Sequence, residues 1–209
     1  MPLEQSVIDT LSAVSTATLT TVLLKKGLRS VWLRGTRPIR EGQPRLVGEA
    51  FTLRFVPARE DLATPASWAS PISTRAAIEA MPEGCIAVVD SMGVKDAGIF
   101  GDILCARMKK RGVAALITDG VVRDRAGVLR TGLPVWCDGV AVFPGDVVVA
   151  DDDGAVLIPR ALLDAVLAEA PEQEAAEEWI MGEVERGAAL PGLYPMNEET
   201  RARYKASKP

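Results

Sequence analysis

The feature that most constrains the fold is an alternation of helical and strand patterns through the middle of the chain. Apolar residues at helical spacing over 73–81 and 102–111 alternate with short apolar runs at 85–90 and 114–118. A short turn or helix follows Arg123. Short apolar strands that alternate with helices predict an α/β core in which some strands pair in parallel.

The flanking segments predict a second group of strands and two helical ends. Helical spacing over 3–27 predicts two short helices, and the run at 46–56 predicts a strand. The acidic turn at 151–154 predicts a hairpin. Further strands are predicted at 135–137, 140–143, 146–150 and 155–158, and further helices at 159–169 and 172–186. A second sheet that packs on the first gives a layered β/β/α arrangement with flanking N- and C-terminal helices.

Length and composition indicate one globular domain. The chain has 209 residues, of which 48% are hydrophobic and 25% are charged, as is usual for a folded domain. We expect a single domain over 1–209, with 190–209 as a C-terminal arm because that segment has little apolar periodicity. The net charge of −4 gives no global attraction to a phosphate backbone, so we expect no nucleic-acid partner.

The absence of histidine excludes several chemistries at once. With no His in the sequence, imidazole acid–base relays, catalytic triads and His-ligated zinc are ruled out. Three scattered cysteines, at 85, 105 and 137, predict reduced core residues. The first residues resemble no leader, and no apolar run is long enough to span a membrane. We therefore expect a cytoplasmic protein with no membrane partner.

Two segments carry the residues best suited to chemistry. The first runs from Ala97 through Gly101 and Asp102 to Leu104 at a predicted helix start, and the second runs from Thr118 to Arg123 and Asp124 after a strand. A helix start offers unpaired N–H groups to a carboxylate or phosphate. Taken alone, Asp102 is better interpreted as a helix cap and Arg123–Asp124 as a surface ion pair.

The two segments gain meaning together because ligands of α/β sheets bind beyond the carboxyl ends of the strands. There Asp102 and Asp124 are predicted to converge, with Arg123 between them. Two carboxylates without histidine suit Mg²⁺ or Mn²⁺, and a guanidinium suits bidentate capture of a carboxylate.

The spacing of Gly101–Asp102 and Arg123–Asp124, twenty residues apart, resembles the G-D-x20-R-D signature of class II pyruvate aldolases. These enzymes act on 4-hydroxy-4-methyl-2-oxoglutarate and 4-carboxy-4-hydroxy-2-oxoadipate, and they share a swivelling-domain-like fold with the regulator of ribonuclease activity A. The resemblance continues through 145–151 and 154–159.

The resemblance implies a divalent-metal-dependent lyase that releases pyruvate from a 4-hydroxy-2-oxo acid by retro-aldol cleavage. It implies that Asp124 binds the metal, that Asp102 holds it through water, and that Arg123 contacts the pyruvyl end of the substrate. Backbone amides beside Gly101, at Ile103 and Leu104, would receive the carboxylate. Decarboxylation of oxaloacetate is implied as a side activity.

The tail and one loop leave alternatives open. The resemblance implies that a C-terminal glutamate, here Glu198 or Glu199, reaches the metal of a neighbouring subunit in a homotrimer or homohexamer; a solvated pair of acids is the other interpretation. The charged run at 59–61 either contributes specificity contacts or is a solvated loop. A different class of function, a non-catalytic protein-binding regulator of ribonuclease activity, also stays open.

Overall fold

The computed structural model describes residues 3–33, 35–95, 97–137 and 143–208. Within these ranges the α-helices are α1 Gln5–Ser12, α2 Thr16–Lys25, α3 Thr74–Ala80, α4 Asp102–Lys110, α5 Arg125–Thr131, α6 Leu163–Glu185 and α7 Glu198–Ala206. The strands are β1 Arg37–Pro38, β2 Leu46–Arg54, β3 Ile86–Asp90, β4 Ala115–Thr118, β5 Val135–Cys137, β6 Val147–Asp151 and β7 Gly154–Ile158.

Strand β2 joins two groups of strands into one sheet, with the order β1-β5-β4-β3-β2-β6-β7. Its first half pairs antiparallel with β6, where Leu46 faces Ala150, and its second half pairs parallel with β3, where Ala50 faces Ile86. Strands β3, β4 and β5 are parallel to one another, and β6 and β7 form the predicted hairpin.

The segment at 31–38 nearly closes this sheet. Trp32 forms an antiparallel bridge with Val156 of β7, and a few residues later Arg37 of β1 pairs with Cys137 of β5. The chain therefore covers the edge of the hairpin before it pairs with the other end of the sheet.

Three apolar clusters define the layers. Alternate residues of β3 and β6 point into a central cluster between the two strand groups, which includes Ile86, Val148 and the buried Trp136. The outer face of β6 and β7 packs against α1, α2 and α6, and the outer face of the parallel strands packs against α3, α4 and α5. The expected layered β/β/α class with flanking terminal helices is confirmed.

Two expectations about the C-terminal half need correction. The helices predicted at 159–169 and 172–186 are one continuous helix, α6, that contains Pro171 and follows a 3-10 turn at Arg160–Leu162. Proline removes one helical hydrogen bond, but buried residues on both sides of it, Ala170 and Ile180, anchor the helix to the core.

The segment after 190 is helical and packed. Helix α7 lies on α6, where the rings of Trp179 and Tyr204 are 5.5 Å apart and Arg203 pairs with Glu183. Leu193 and Tyr204 are buried. The segment therefore packs against the rest of its own chain, although its apolar residues are too sparse to predict a core element. The strand predicted at 140–143 falls mainly on residues outside the described ranges.

In the described ranges, no single helix has both the length and the apolarity to cross a membrane; α1 and α2, bent by 101°, reach those values only as a pair.

Candidate active site

The candidate site lies at the carboxyl edge of the parallel strands, where the chain leaves β3 and β4. The loop after β3 reaches the start of α4, and the loop after β4 reaches the start of α5. The two loops are joined by a parallel bridge between Phe100 and Val122 and by a bond of 3.0 Å from the Arg123 amide to the Phe100 carbonyl. Because the Phe100 side chain is fully buried, this junction is anchored in the core.

Asp119 ties together the bases of the same two loops. Its carboxylate accepts hydrogen bonds from the backbone amides of Ser91 and Gly93, the latter at 2.7 Å. Ser91 Oγ and Thr118 Oγ1 lie 3.0 Å apart beside it. This role of Asp119 was not predicted, although an acid directly after the end of a strand is a sequence signal for it.

Two glycines allow the loops to approach each other closely. A methyl group on Gly98 would lie 2.6 Å from the backbone nitrogen of Arg123. One on Gly101 would lie 3.0 Å from Arg123 Nε and 3.1 Å from Asp124 Oδ2. The predicted Gly101–Asp102 and Arg123–Asp124 segments are therefore in direct contact. The absence of a side chain at Gly101 leaves room between them.

Asp124 holds an unusual backbone conformation and has few partners. It precedes α5 with φ 54° and ψ 41°, in the left-handed region, and its side chain makes no capping hydrogen bond. Such conformations in non-glycine residues cluster at functional sites. Asp124 Oδ2 lies 3.7 Å from Arg123 Nε, and the two side chains are 59% and 67% exposed. The pair is loose, so both groups are accessible to a ligand.

Asp102 is held more firmly. It is the first residue of α4, after Gly101 as the cap, and its Oδ1 accepts a hydrogen bond of 2.7 Å from the Ile103 amide. A methyl group on Gly127 of α5 would lie only 2.7 Å from Asp102 Oδ2. Asp102 thus packs against the first turn of α5 and also satisfies one amide at its own helix start. An incoming carboxylate would have to displace Asp102 to use the Ile103 amide.

The interior beneath Asp102 is apolar. Cys105, one turn further along α4, is buried and unpaired. Burial, together with the nearby negative charge of Asp102, raises the pKa of the Cys105 thiol to about 12. This thiol is neutral at physiological pH and is not a candidate nucleophile.

A cavity of about 460 Å³ opens beside Arg123. Arg123, Leu104 and Ile99 form one wall. The other wall consists of the chain between β2 and α3, which includes Trp68, and of the first turn of α3, which includes Arg75. This wall was not predicted from the sequence, although Trp68 and Arg75 among several hydroxyl residues are a signal for a binding surface. The charged run at 59–61 does not line the cavity; within it, Arg59 and Asp61 pair with each other.

Glu199 lies elsewhere in its own chain. It is exposed on the first turn of α7, which packs on α6 and so belongs to the helical layer opposite α4 and α5. The structure therefore brings together Gly101, Asp102, Arg123 and Asp124, with Leu104 on the cavity wall, but does not bring Glu199 to them within one chain.

The donor set fits a hydrated divalent cation. In the described part of the chain, no three His, Cys, Asp or Glu side chains form a metal-ligating cluster. Mg²⁺ is commonly held by only one or two carboxylates, with water and substrate oxygens as its other ligands. Asp124 has an exposed carboxylate that is only loosely paired with Arg123, and the space left by Gly101 lies directly beside it.

Comparison with known proteins identifies the family. The model of the RraA-like (Aldolase/RraA) family matches residues 12–139, and the chain belongs to this family. Among solved structures, Streptomyces coelicolor RraAS2, described as an unusual member of the RNase ES inhibitor RraA protein family, is 31% identical, with a TM-score of 0.75 over 86% of this chain and 97% of its own. An uncharacterized protein from Pseudomonas syringae has a TM-score of 0.78 at 25% identity, over 94% of this chain and 96% of its own.

Sequence relatives carry mixed names. A Halalkalibacterium halodurans protein provisionally named 4-hydroxy-4-methyl-2-oxoglutarate aldolase is 29% identical over 50% of this chain and 60% of its own length. Protein DlpA of Legionella pneumophila is 25% identical over 76% of this chain but only 28% of its own length. The chain thus matches less than two thirds of either relative. The family includes proteins named as aldolases and proteins named as RraA regulators.

Proposed function

We propose that this protein is a divalent-metal-dependent lyase that cleaves a 4-hydroxy-2-oxo acid by retro-aldol reaction and releases pyruvate. The observation that carries this proposal is the contact between Gly101–Asp102 and Arg123–Asp124 at the mouth of the cavity. The acids and the guanidinium are those that such a reaction needs, and the names of several relatives agree with it.

In this mechanism each residue has one task. Arg123 binds the pyruvyl end of the substrate, because its planar fork suits carboxylate and keto oxygens. The first-turn amide of Leu104 helps to orient the substrate carboxylate. Asp124 and Asp102 would hold Mg²⁺ or Mn²⁺, which supplies a Lewis acid at the 2-oxo acid.

Cleavage of the C3–C4 bond leaves negative charge on the 2-oxo oxygen of the pyruvyl half, and the Arg123 guanidinium stabilises that charge. The 4-hydroxyl gives its proton to water in the open mouth of the cavity as C4 becomes a carbonyl. C3 of the enolate then takes up a proton to give pyruvate. Decarboxylation of oxaloacetate passes through the same enolate, so we propose it as a side activity.

The test is pyruvate release, coupled to lactate dehydrogenase, from oxaloacetate and from 4-hydroxy-2-oxo acids. After treatment with a chelator, activity should return with Mg²⁺ or Mn²⁺. Arg123→Ala should lose about 3 kcal/mol of transition-state stabilisation, or more than 100-fold in kcat/KM. Arg130→Ala, which removes an exposed arginine from the last turn of α5, is the matched control and should retain activity. Equal rates for wild type and Arg123→Ala would contradict the proposal.

The similarity to RraAS2 favours one alternative, a non-catalytic regulator that binds a ribonuclease. A pull-down with ribonuclease E, run beside the pyruvate assay, separates the two functions. Capture of the ribonuclease without pyruvate release would favour the regulator.

We also propose a cytoplasmic homotrimer or homohexamer. Glu199 lies away from Asp102 and Asp124 in its own chain, so a role at the metal requires a neighbouring subunit to supply it.

A further inference from the structure

The wall of the cavity opposite Arg123 carries a second cation. Arg75, near the start of α3, lines the same cavity as Arg123. None of the described residues that line this cavity is an aspartate or glutamate, although the protein as a whole has a net charge of −4. Arg123 is paired loosely with Asp124 at 3.7 Å, whereas Arg75 adds a second guanidinium to a lining whose described residues hold no carboxylate. The lining therefore carries an excess of positive charge, which a ligand with two negative charges would offset.

Arg75 differs from the other arginines nearby in what it contacts. Arg59 pairs with Asp61, and Arg107 pairs with Glu79 at 2.7 Å. Within the described ranges no carboxylate forms an ion pair with Arg75. Its guanidinium carbon instead lies 4.9 Å from the centre of the Trp68 ring, so its charge is available to a ligand.

The Trp68 ring lies beside the Arg75 guanidinium. A guanidinium stacked on an aromatic face is held through its flat side and keeps the N–H groups at its edge free for hydrogen bonds. Trp68 belongs to the short 3-10 helix Pro65–Ala69, which precedes α3 and contacts it. Both residues line the cavity, so the Arg75 guanidinium lies where its N–H groups can donate to a ligand carboxylate.

We propose that Arg75 is the specificity-determining residue of the site and contacts a second carboxylate, on the aldehyde or ketone half of the substrate. This inference rests on the proposed lyase function, in which Arg123 binds the pyruvyl half.

Two substrates that differ in one group test the inference. 4-Hydroxy-2-oxoglutarate has a carboxylate where 4-hydroxy-2-oxopentanoate has a methyl group. Wild type should have a higher kcat/KM for the dicarboxylate, and Arg75→Gln should lower that preference about 10-fold or more, mainly through KM, as expected when a charged hydrogen bond is lost. Activity on the monocarboxylate should change less than about twofold, and Arg75→Lys should keep part of the preference.

Arg59→Gln is the matched control, because Arg59 is an exposed arginine in the chain between β2 and α3 and does not line the cavity; its preference should equal that of wild type. An equal loss on both substrates in Arg75→Gln, or no loss on either, would overturn the inference.

A binding measurement separates this inference from the lyase proposal. Calorimetry in the presence of Mg²⁺ compares the unreactive pair 2-oxoglutarate and 2-oxopentanoate. Tighter binding of 2-oxoglutarate that disappears in Arg75→Gln supports the role of Arg75, even if wild type releases no pyruvate and the lyase proposal fails. Equal affinity of wild type for the two acids would overturn the role of Arg75, whatever the lyase assay shows.

Discussion

Two clusters of acidic residues in this molecule, one at the candidate site and one at the hairpin turn between β6 and β7, have opposite surroundings. Asp124 is 59% exposed, makes no capping bond and lies 3.7 Å from its nearest cation. Asp151 is 8% exposed and accepts hydrogen bonds from the Thr16 hydroxyl at 2.9 Å and the Asp153 amide at 3.1 Å. A carboxylate whose acceptor sites are filled by its own chain stabilises the fold, whereas one whose sites are free can bind a ligand.

The same contrast extends along each cluster. Asp146, at the start of the hairpin, accepts the amides of Phe143 and Arg160 at 3.0 and 3.2 Å, and Arg45 reaches Asp151 at 3.3 Å. At the candidate site, Asp102 is the intermediate case, with one oxygen bonded to the Ile103 amide. An acidic turn in the sequence therefore does not by itself indicate a metal site; the number of internal donors decides.

The largest expected effect is on activity at Asp124. Asparagine tolerates the left-handed backbone of this position, so Asp124→Asn removes charge without forcing the chain to move. We expect kcat/KM for pyruvate release to fall about 100-fold or more. The free energy of unfolding should change by less than about 0.5 kcal/mol, since the side chain is exposed and makes no capping bond. Coupled assays and urea unfolding of the same preparation measure both. Unchanged activity with lowered stability would mean that Asp124 stabilises the fold and does not bind a ligand.

Asp151→Asn should have the opposite outcome. An amide keeps one acceptor oxygen but places an NH₂ group against donors such as the Thr16 amide and hydroxyl. Leaving buried donors unpaired costs about 2 kcal/mol, which lowers the melting temperature by about 4–8 °C in a domain of this size. Activity per folded molecule should persist. The control is Asp153→Asn in the same turn, where the exposed side chain predicts a change below about 0.5 kcal/mol.

The sequence predicted the layers and the meeting of the Gly101–Asp102 and Arg123–Asp124 segments because both depend on local patterns. The alternation of strands and helices determines which strand ends meet at one edge of the sheet. The positions of the two motifs in the sequence determine which residues lie at that edge. The double pairing of β2 could not be predicted in this way, since its two halves find partners about 100 and 35 residues further along the chain. Strand propensity does not encode the choice of partner.

The second wall of the cavity was missed for a related reason. Residues between β2 and α3 lack the periodicity that marks an element, and their position follows from contacts of the short 3-10 helix at 65–69 with α3. The helix break predicted between 169 and 172 was wrong for a similar reason, because the buried residues Ala170 and Ile180 hold the helix to the core on both sides of Pro171. In both cases tertiary packing determined the local structure, and a single sequence does not reveal that packing.

The smallest expected effect is on the pH dependence of stability, and it concerns the buried cysteines beneath the exposed edge of the candidate site. Burial raises the pKa of Cys105 to about 12 and that of Cys85 to about 11, from an ordinary value of 9.0. The folded state therefore holds protons that the unfolded state releases above pH 9. This contribution to stability is complete below pH 9 and is lost as the pH rises toward 11–12. Between pH 8 and pH 10, wild type should lose about 1 kcal/mol more unfolding free energy than Cys105→Ala.

Urea unfolding at the two pH values measures this difference, and comparison of slopes removes the constant cost of the smaller side chain. Alkylation by iodoacetamide at pH 8 is the second measurement, and Cys105 should react only when the protein unfolds. Rapid alkylation of the native protein at Cys105 would mean that water reaches the first turns of α4. The solvent-accessible region around Asp102 would then extend into the core beneath α4. Exposure at the candidate site would not be confined to the edge of the sheet.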